Sequence, residues 1–187
     1  MTDTKTALLR SAEHAVRTKG FDGFSYADLA ADVGIRKASI HHHFPAKADL
    51  SLAVMQQYHD RFEALCAQID ATPASGAARL RAMADQYRAA LGGGDTLCLC
   101  VAFSISADRV RVDVRAAMAA FRAMMVDWLT AAFARGRDDG TIAQVSHPRE
   151  DATAMLALLE GAQLAARAQR DPTRFDAALR PLLARLG

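Results

Sequence analysis

The chain has 187 residues, of which 51% are hydrophobic and 24% are charged, as is ordinary for a globular protein of one domain or two small ones. The formal net charge of +2 is too small either to identify nucleic acid as a partner or to exclude it. No segment approaches about 18 uninterrupted apolar residues and the N-terminus has no signal-peptide pattern, so we expect a cytoplasmic protein with no membrane partner.

The hydrophobic periodicity predicts an all-α protein of about nine helices, because alanine, leucine and arginine are frequent and β-branched residues are sparse. The first helix runs from about Thr4 to Lys19, and Gly20 ends it. A second helix starts at Ser25, which has the spacing of a capping box with Asp28. Gly34 ends this helix and turns the chain sharply, since glycine suits a left-handed conformation.

The third predicted helix, from about Arg36 to His43, is short and polar on its outer side. Ile40 and Phe44 are its inward anchors, and Pro45 ends it. The other residues are mostly basic or hydrogen-bonding: Arg36, Lys37, Ser39, His41, His42 and His43. Adjacent side chains on a helix point about 100° apart, so the three histidines do not converge on one ion and we expect no metal site.

Six further helices are expected along the rest of the chain. The sixth is short, capped by Asp95 or Thr96, and apolar all round through 97–103, which predicts that it is buried. The others are a long fourth helix over about 46–70, a fifth through 80–91, a seventh over about 112–135, an eighth over about 148–169 and a ninth opened by Pro172.

Two short helices joined by a glycine turn, the second of them basic outside, are typical of a helix-turn-helix that binds DNA. Arg36 and Lys37 lie at the N-terminal end of the third helix, where such helices contact bases. Ser39 and His42 can donate hydrogen bonds at short range. Lys47 begins the next helix, where its ammonium and the helix dipole can both meet a phosphate.

The segment from Gly20 to Leu50 closely resembles the DNA-binding segment of TetR-family regulators. The shared features fall at the spacing of that family: a turn glycine, the capping Ser25, Leu29-Ala30, Val33-Gly34, Phe44-Pro45 and Lys47. The match spans about the first quarter of the chain, and the remainder resembles the family in architecture.

The resemblance implies a DNA-binding transcriptional regulator, most simply a repressor that a small effector releases from a palindromic operator. It implies a helix-turn-helix DNA-binding domain over 1–46 and a ligand-binding and dimerisation domain over 47–187, with helix 4, at about 46–70, as the connector. It also implies a homodimer whose interface is formed by the last two long helices, about Glu150–Gln169 and Thr173–Arg185.

Two positions depart from the family pattern. The family often has serine or threonine where this chain has Arg36, and a tyrosine that reaches a phosphate where it has His41. Histidine is shorter and sensitive to pH, so the operator sequence does not carry over. The predicted DNA-binding residues are Ser25, Tyr26, Arg36, Lys37, Ser39, His41, His42 and Lys47.

Two interpretations of Cys98 and Cys100 stay open. The one that we favour treats both as small buried hydrophobic residues. In the other, Asp95 caps the sixth helix and places Cys98 in its first turn, where the helix N-terminus lowers a thiol pKa. The Leu-Cys-Leu-Cys run also resembles a subgroup of the family with members that respond to electrophiles or oxidants. The alternative function is therefore a repressor regulated through these thiols.

The middle helices are predicted to bind an unidentified small-molecule effector. The candidate effector-binding or sensing residues are Cys98, Cys100, Phe103, Met118, Phe121, Met125 and Trp128. Arg109, Arg111 and Arg115 either address an anionic effector or form a solvated face, and we favour the solvated face. No catalytic set or phosphate-binding loop has a recognisable spacing, so we expect neither an enzyme nor a cofactor.

Overall fold

The computed structural model describes residues 4–72 and 74–187, and these residues form nine α-helices and no β-strand. The predicted all-α architecture is confirmed. Two 3-10 turns, at Gly92–Gly94 and Ala107–Arg109, flank the sixth helix. The helices are α1 (Thr4–Lys19), α2 (Tyr26–Val33), α3 (Lys37–His43), α4 (Lys47–Asp70), α5 (Gly76–Ala89), α6 (Leu99–Ser104), α7 (Val112–Asp138), α8 (Pro148–Gln169) and α9 (Thr173–Leu183).

The ends of the first two helices follow from the residues placed there. Gly20 has a φ of 77° and its N–H donates to the Val16 carbonyl at 2.8 Å, which ends α1. Ser25 begins α2 as part of a capping box with Asp28, as predicted. Gly34 has a φ of 74° and closes α2. These contacts turn the chain sharply before and after α2 and so bring α3 against it.

The predicted start of the sixth helix is wrong. The Thr96 hydroxyl donates to the Ala90 carbonyl and its backbone N–H to the Leu91 carbonyl, so Thr96 closes the turn after α5. The helix begins at Leu99 instead, and Cys98 lies before its first turn. The same run is buried all round, as its composition predicted.

The chain divides into two compact units. The head unit comprises Met1–Asp60 and Leu99–Ala120, and the C-terminal unit comprises Arg61–Cys98 and Phe121–Gly187. In the head unit, α2 packs against α1 and α3, while α6 packs against α1. Its core is built from large apolar side chains, among them Leu8, Val16, Leu29, Ile40, Leu50 and Phe103.

In the C-terminal unit, α8 packs along α9 and both contact α5. The core of this unit includes Leu80, Tyr87, Leu129, Phe133, Leu159 and Phe175. Gly76, the first residue of α5, lies so close to α7 that a Cβ there would stand 2.2 Å from the Gly136 nitrogen. Glycine at the start of α5 is therefore a packing requirement.

By length and composition, α7 is apolar enough to cross a bilayer, alone among the helices in the described part of the chain. Its large apolar side chains recur every three or four residues and are buried in the protein: Val114, Met118, Phe121, Met125 and Leu129. That spacing is typical of the core-facing stripe of a helix in a globular fold.

Candidate nucleic-acid interface

The outer surface of α3 is the most exposed helical surface of the predicted helix-turn-helix. Ile40 is the only buried residue of this helix. Arg36 precedes the helix as its N-cap and Lys37 is its first residue, and both are exposed. Within 4–72 and 74–187, neither side chain makes a hydrogen bond or an ion pair. Both cationic groups are thus available to a ligand.

Tyr26 holds the far end of α3 in place. Its ring is buried and its hydroxyl donates to the Phe44 carbonyl at 3.0 Å. Burial, with a smaller contribution from the charge of Asp49, raises the pKa of Tyr26 to about 12. The one hydroxyl hydrogen is donated within the protein, so Tyr26 helps to hold the end of α3, and its predicted DNA contact stays a prediction.

The first role of Ser25 is to cap the N-terminus of α2. Its backbone N–H and its hydroxyl donate to Asp28 Oδ2 at 2.7 and 2.8 Å, and its hydroxyl oxygen accepts the Asp28 N–H at 3.4 Å. The hydrogen bond from the Ser25 side chain is the main reason that the pKa of Asp28 is lowered. Ser25 remains exposed, so the predicted DNA contact stays a prediction.

The three histidines at the end of α3 are all exposed. The His41 ring packs edge-on against Tyr26, with 4.9 Å between ring centroids, and its Nδ1 lies 3.3 Å from the Pro45 carbonyl oxygen. Because the Pro45 carbonyl can only accept, a contact between His41 and a phosphate would come from the Nε2–H of the doubly protonated ring. Ser39 is half-buried, and His42 packs edge-on against His43.

Lys47 has an internal partner that its sequence position did not predict. Its Nζ donates to the Phe24 carbonyl at 2.6 Å and lies 3.9 Å from the centroid of the Phe24 ring and 4.8 Å from that of Phe21. Burial lowers the pKa of Lys47, and the nearby charges of Asp22 and Asp28 oppose that shift. The ammonium thus ties α4 to the turn between α1 and α2, besides any phosphate contact.

The predicted effector residues divide between the two units, and all but Trp128 are buried. In the C-terminal unit, the Phe62 ring packs edge-on against Phe121 and Tyr87, with centroid distances of 5.2 and 6.1 Å. Trp128 is half-buried and its Nε1 donates to Asp70 at 3.0 Å. The head unit contains Cys100, Phe103 and Met118, and the C-terminal unit contains Cys98, Phe121, Met125 and Trp128.

Gln163 is a buried polar residue beside Cys98 that the sequence analysis did not identify. It is fully buried, its Oε1 accepts the Cys98 N–H at 2.6 Å, and its Nε2 donates to the Tyr87 carbonyl at 2.8 Å. Its amide joins α8 to α5 and to the segment before α6. The sequence feature that could have identified Gln163 is a single amide among apolar residues, because Leu159 and Ala166 lie on the same face of α8.

The thiols are closed to solvent. Cys98 is 1% exposed and Cys100 is 0% exposed, and the Cys100 Sγ lies 3.9 Å from the Met55 Sδ. Cys98 is not in the first turn of α6, which removes the predicted reason for a lowered thiol pKa. Burial raises the pKa of Cys66 to about 12, which disfavours the thiolate, the reactive form of a cysteine. Thiol regulation stays an untested prediction.

Two family models match the chain. The model described as bacterial regulatory proteins, tetR family, matches residues 8–54, and the model described as tetracycline repressor-like, C-terminal domain, matches residues 76–182. The second match alone covers more than half of the chain.

Relatives and solved structures agree with these models. A transcriptional repressor of Escherichia coli, NemR, is 26% identical in an alignment 186 positions long that covers 95% of this chain and 90% of that protein. The regulator CymR of Pseudomonas putida is 32% identical over 108 residues, which are 58% of this chain and 50% of that one. The crystal structure of a TetR-family regulator from Agrobacterium tumefaciens superimposes with a TM-score of 0.91 at 32% identity, covering 98% of this chain and 97% of that one.

Proposed function

The chain belongs to the TetR family of bacterial regulatory proteins, and on that basis we propose that it is a homodimeric repressor that a small effector releases from a palindromic operator. As a member of this family it is a DNA-binding transcriptional regulator. The observation that carries the proposal is the exposed α3, which begins with the unpaired cations of Arg36 and Lys37 within the described residues.

The dimensions and chemistry of α3 suit the major groove. An α-helix with its side chains is about 10–12 Å in diameter, and the groove is about 12 Å wide, so it can admit α3. An arginine or lysine at the N-terminal end of such a helix can donate to the O6 and N7 atoms of guanine. We assign Arg36 and Lys37 to base contacts, and Ser25, Ser39, His41 and His42 to contacts around them.

A selection from random duplex DNA, followed by fluorescence anisotropy on the enriched sequence, tests DNA binding. We expect an inverted repeat with half-sites about 34 Å apart, bound with an affinity that falls steeply as salt rises. Arg36→Ala should weaken binding and relax the base preference at one position in each half-site. Arg137→Ala removes an exposed arginine from the end of α7 and is the matched charge control. Enrichment of no sequence would contradict the proposal.

The homodimer is supported by the outer face of α8. Its exposed members are small or apolar and recur at helical spacing: Ala154, Ala157, Gly161, Leu164, Ala165 and Ala168. Leu164 is 43% exposed, and a Cβ on Gly161 would meet nothing within 4 Å. A face of small residues allows another helix to approach closely, and a second copy of α8 and α9 suits the two-fold symmetry of a palindromic operator.

Sedimentation equilibrium tests this interface. We expect the wild type to be a dimer and Leu164→Glu to be a monomer, because the substitution places two carboxylates at the two-fold contact. Glu150→Gln, at the exposed start of α8, is the control that should leave the dimer intact. A dimeric Leu164→Glu variant would move the proposed interface elsewhere.

We assign effector binding to apolar side chains of the middle helices, including the buried Phe121 and Met125 and the half-buried Trp128. Such surfaces suit a small apolar ligand with few polar groups. Thermal-shift screening against small hydrophobic molecules, followed by anisotropy on the selected operator, tests this assignment. A true effector raises the melting temperature of the free protein and lowers its operator affinity.

The chain is further proposed to act by binding, without catalysis, and in the cytoplasm, where a regulator reaches the chromosome. Its membership of a family of regulators supports both statements. Cell fractionation with detection of the tagged protein would test the location.

A further inference from the structure

The segment between α6 and α7 bonds to both sides of the helix-turn-helix. Asp22 lies in the turn before α2, and Asp49 lies in the first turn of α4, just after α3. Ser106, Arg109 and Arg111 contact these two carboxylates. All five residues belong to the head unit, which includes residues 99–120 as well as the predicted DNA-binding domain.

Arg111 is held in a fixed direction. Its Nε and Nη2 donate to the two carboxylate oxygens of Asp113 at 2.8 and 2.7 Å, which fixes the plane of the guanidinium. Its Nη1 then donates to Asp49 Oδ1 at 2.8 Å. These hydrogen bonds raise the pKa of Arg111 and lower the pKa of both carboxylates, so all three groups are charged near neutral pH.

Asp49 is already part of the helix-turn-helix boundary. Its Oδ2 accepts the Ala46 N–H at 3.0 Å, so the carboxylate that Arg111 contacts also caps α4 directly after α3. A displacement of Arg111 would therefore change the position of the C-terminal end of α3, the recognition helix proposed to read the operator.

Asp22 forms the second attachment. It accepts a hydrogen bond from the Ser106 hydroxyl at 3.1 Å and pairs with Arg109 Nη1 at 3.2 Å. The segment itself is anchored by α6, which is buried from Leu99 to Phe103 and packs against α1. The attachment through Arg111 is the better defined of the two, because Arg111 is oriented by its bidentate pair with Asp113, whereas Arg109 is 71% exposed.

We propose that Arg111 is a positioning residue for DNA binding, which with Ser106 and Arg109 holds both ends of the helix-turn-helix at one angle to α6 and α7. This inference rests on the proposed function. Exposed ion pairs contribute little to folding stability, so these contacts matter for the angle of α3 more than for the fold. In a dimer, that angle decides which half-site spacing both recognition helices can read together.

Arg111→Gln tests the inference on two operators, the selected sequence and the same sequence lengthened by one base pair between half-sites. We expect the ratio of the two affinities, which measures spacing preference, to fall by about fivefold in the variant, the upper end of what an exposed ion pair contributes. Affinity for an isolated half-site should stay within about twofold, and the melting curve should be unchanged. Arg115→Gln is the matched control, since Arg115 lies four residues further along, in the first turns of α7, and donates to the backbone carbonyls of Ala107 and Val110 rather than to Asp49.

Asp49→Asn and the double variant complete the test. If Arg111 acts through Asp49, the two substitutions together should change the spacing ratio by less than the product of their separate effects. An unchanged ratio in Arg111→Gln, or an equal change in Arg115→Gln, would overturn the inference. Failure of the wild type to select any operator would instead contradict the proposed function.

Discussion

The two shortest helices of the head unit, α3 and α6, have opposite environments. In α3, seven residues long, only Ile40 is buried, and the rest of the surface is polar or basic. In α6, six residues long, every residue except Ser104 is buried. Neither helix is long enough to be stable alone in water, so tertiary contacts hold each one in place. A short helix anchored by one buried residue leaves the rest of its surface available to contact DNA. A helix that is buried on all sides can only support its neighbours.

The contrast separates substitutions that alter binding from those that alter folding. Changes on α3 should alter which DNA is bound, with little effect on stability. Changes on α6 should alter stability, because every side chain there except that of Ser104 is buried in the core. The first two experiments below test that separation on α6 and α3, and the next two sharpen it at Lys47, which is expected to serve both roles, and at Asp28, which serves folding.

Phe103→Ala should have the largest effect. The ring is fully buried in α6 and lies 6.2 Å from the Phe21 ring, centroid to centroid. Its loss should lower the free energy of unfolding by about 3–5 kcal/mol, measured by urea denaturation. Ile105→Ala, at a neighbouring side chain that is 66% exposed, should cost less than about 0.5 kcal/mol. Equal losses would show that α6 is not the core element described above.

Lys37→Ala tests the reading surface. It should weaken binding to the selected operator by about 1–3 kcal/mol and relax the base preference, while the urea midpoint stays the same. Affinity for random DNA should fall much less than affinity for the operator. If the affinities for the operator and for random DNA fell equally, Lys37 would be assigned to a phosphate contact instead of a base contact.

Lys47→Met tests whether one cation serves both folding and binding. Loss of the hydrogen bond from the Lys47 ammonium to Phe24 should lower the free energy of unfolding by about 1.5 kcal/mol. Binding to all DNA sequences should also weaken. Lys37→Met is the matched control, because the same substitution at an exposed lysine should leave stability unchanged. An unaltered melting curve for Lys47→Met would leave only the phosphate role.

The smallest effect is expected in the pH dependence of stability. Hydrogen bonds from Ser25 lower the pKa of Asp28, so the folded state favours the carboxylate. The resulting stabilisation is complete above the ordinary aspartate pKa of 3.8 and is lost as the pH falls through the lowered value. Urea denaturation of wild type and Asp28→Asn between pH 7 and 3 should therefore show a difference that shrinks at low pH. A difference that is constant with pH would exclude the capping carboxylate as its source.

Much of the helix-turn-helix could be predicted because its signals are local. The Ser25 cap, the glycine turn at Gly34 and the spacing of Ile40 and Phe44 act within a few residues, and the structure has each where the pattern placed it. The start of α6 could not be predicted in this way. Thr96 can cap a helix or close a turn, and the carbonyls of Ala90 and Leu91 decide between these outcomes.

By itself, the sequence determined the all-helical class, the position of the recognition helix and the resemblance to one family of regulators, because periodicity and capping operate over short stretches of chain. Only the tertiary structure decided what the charged groups do. Lys47 meets Phe24, Arg111 meets Asp49 and Gln163 joins Cys98 to Tyr87, each across a long separation in sequence. A side chain's partner depends on which backbone groups folding brings near it, and no local pattern encodes that choice.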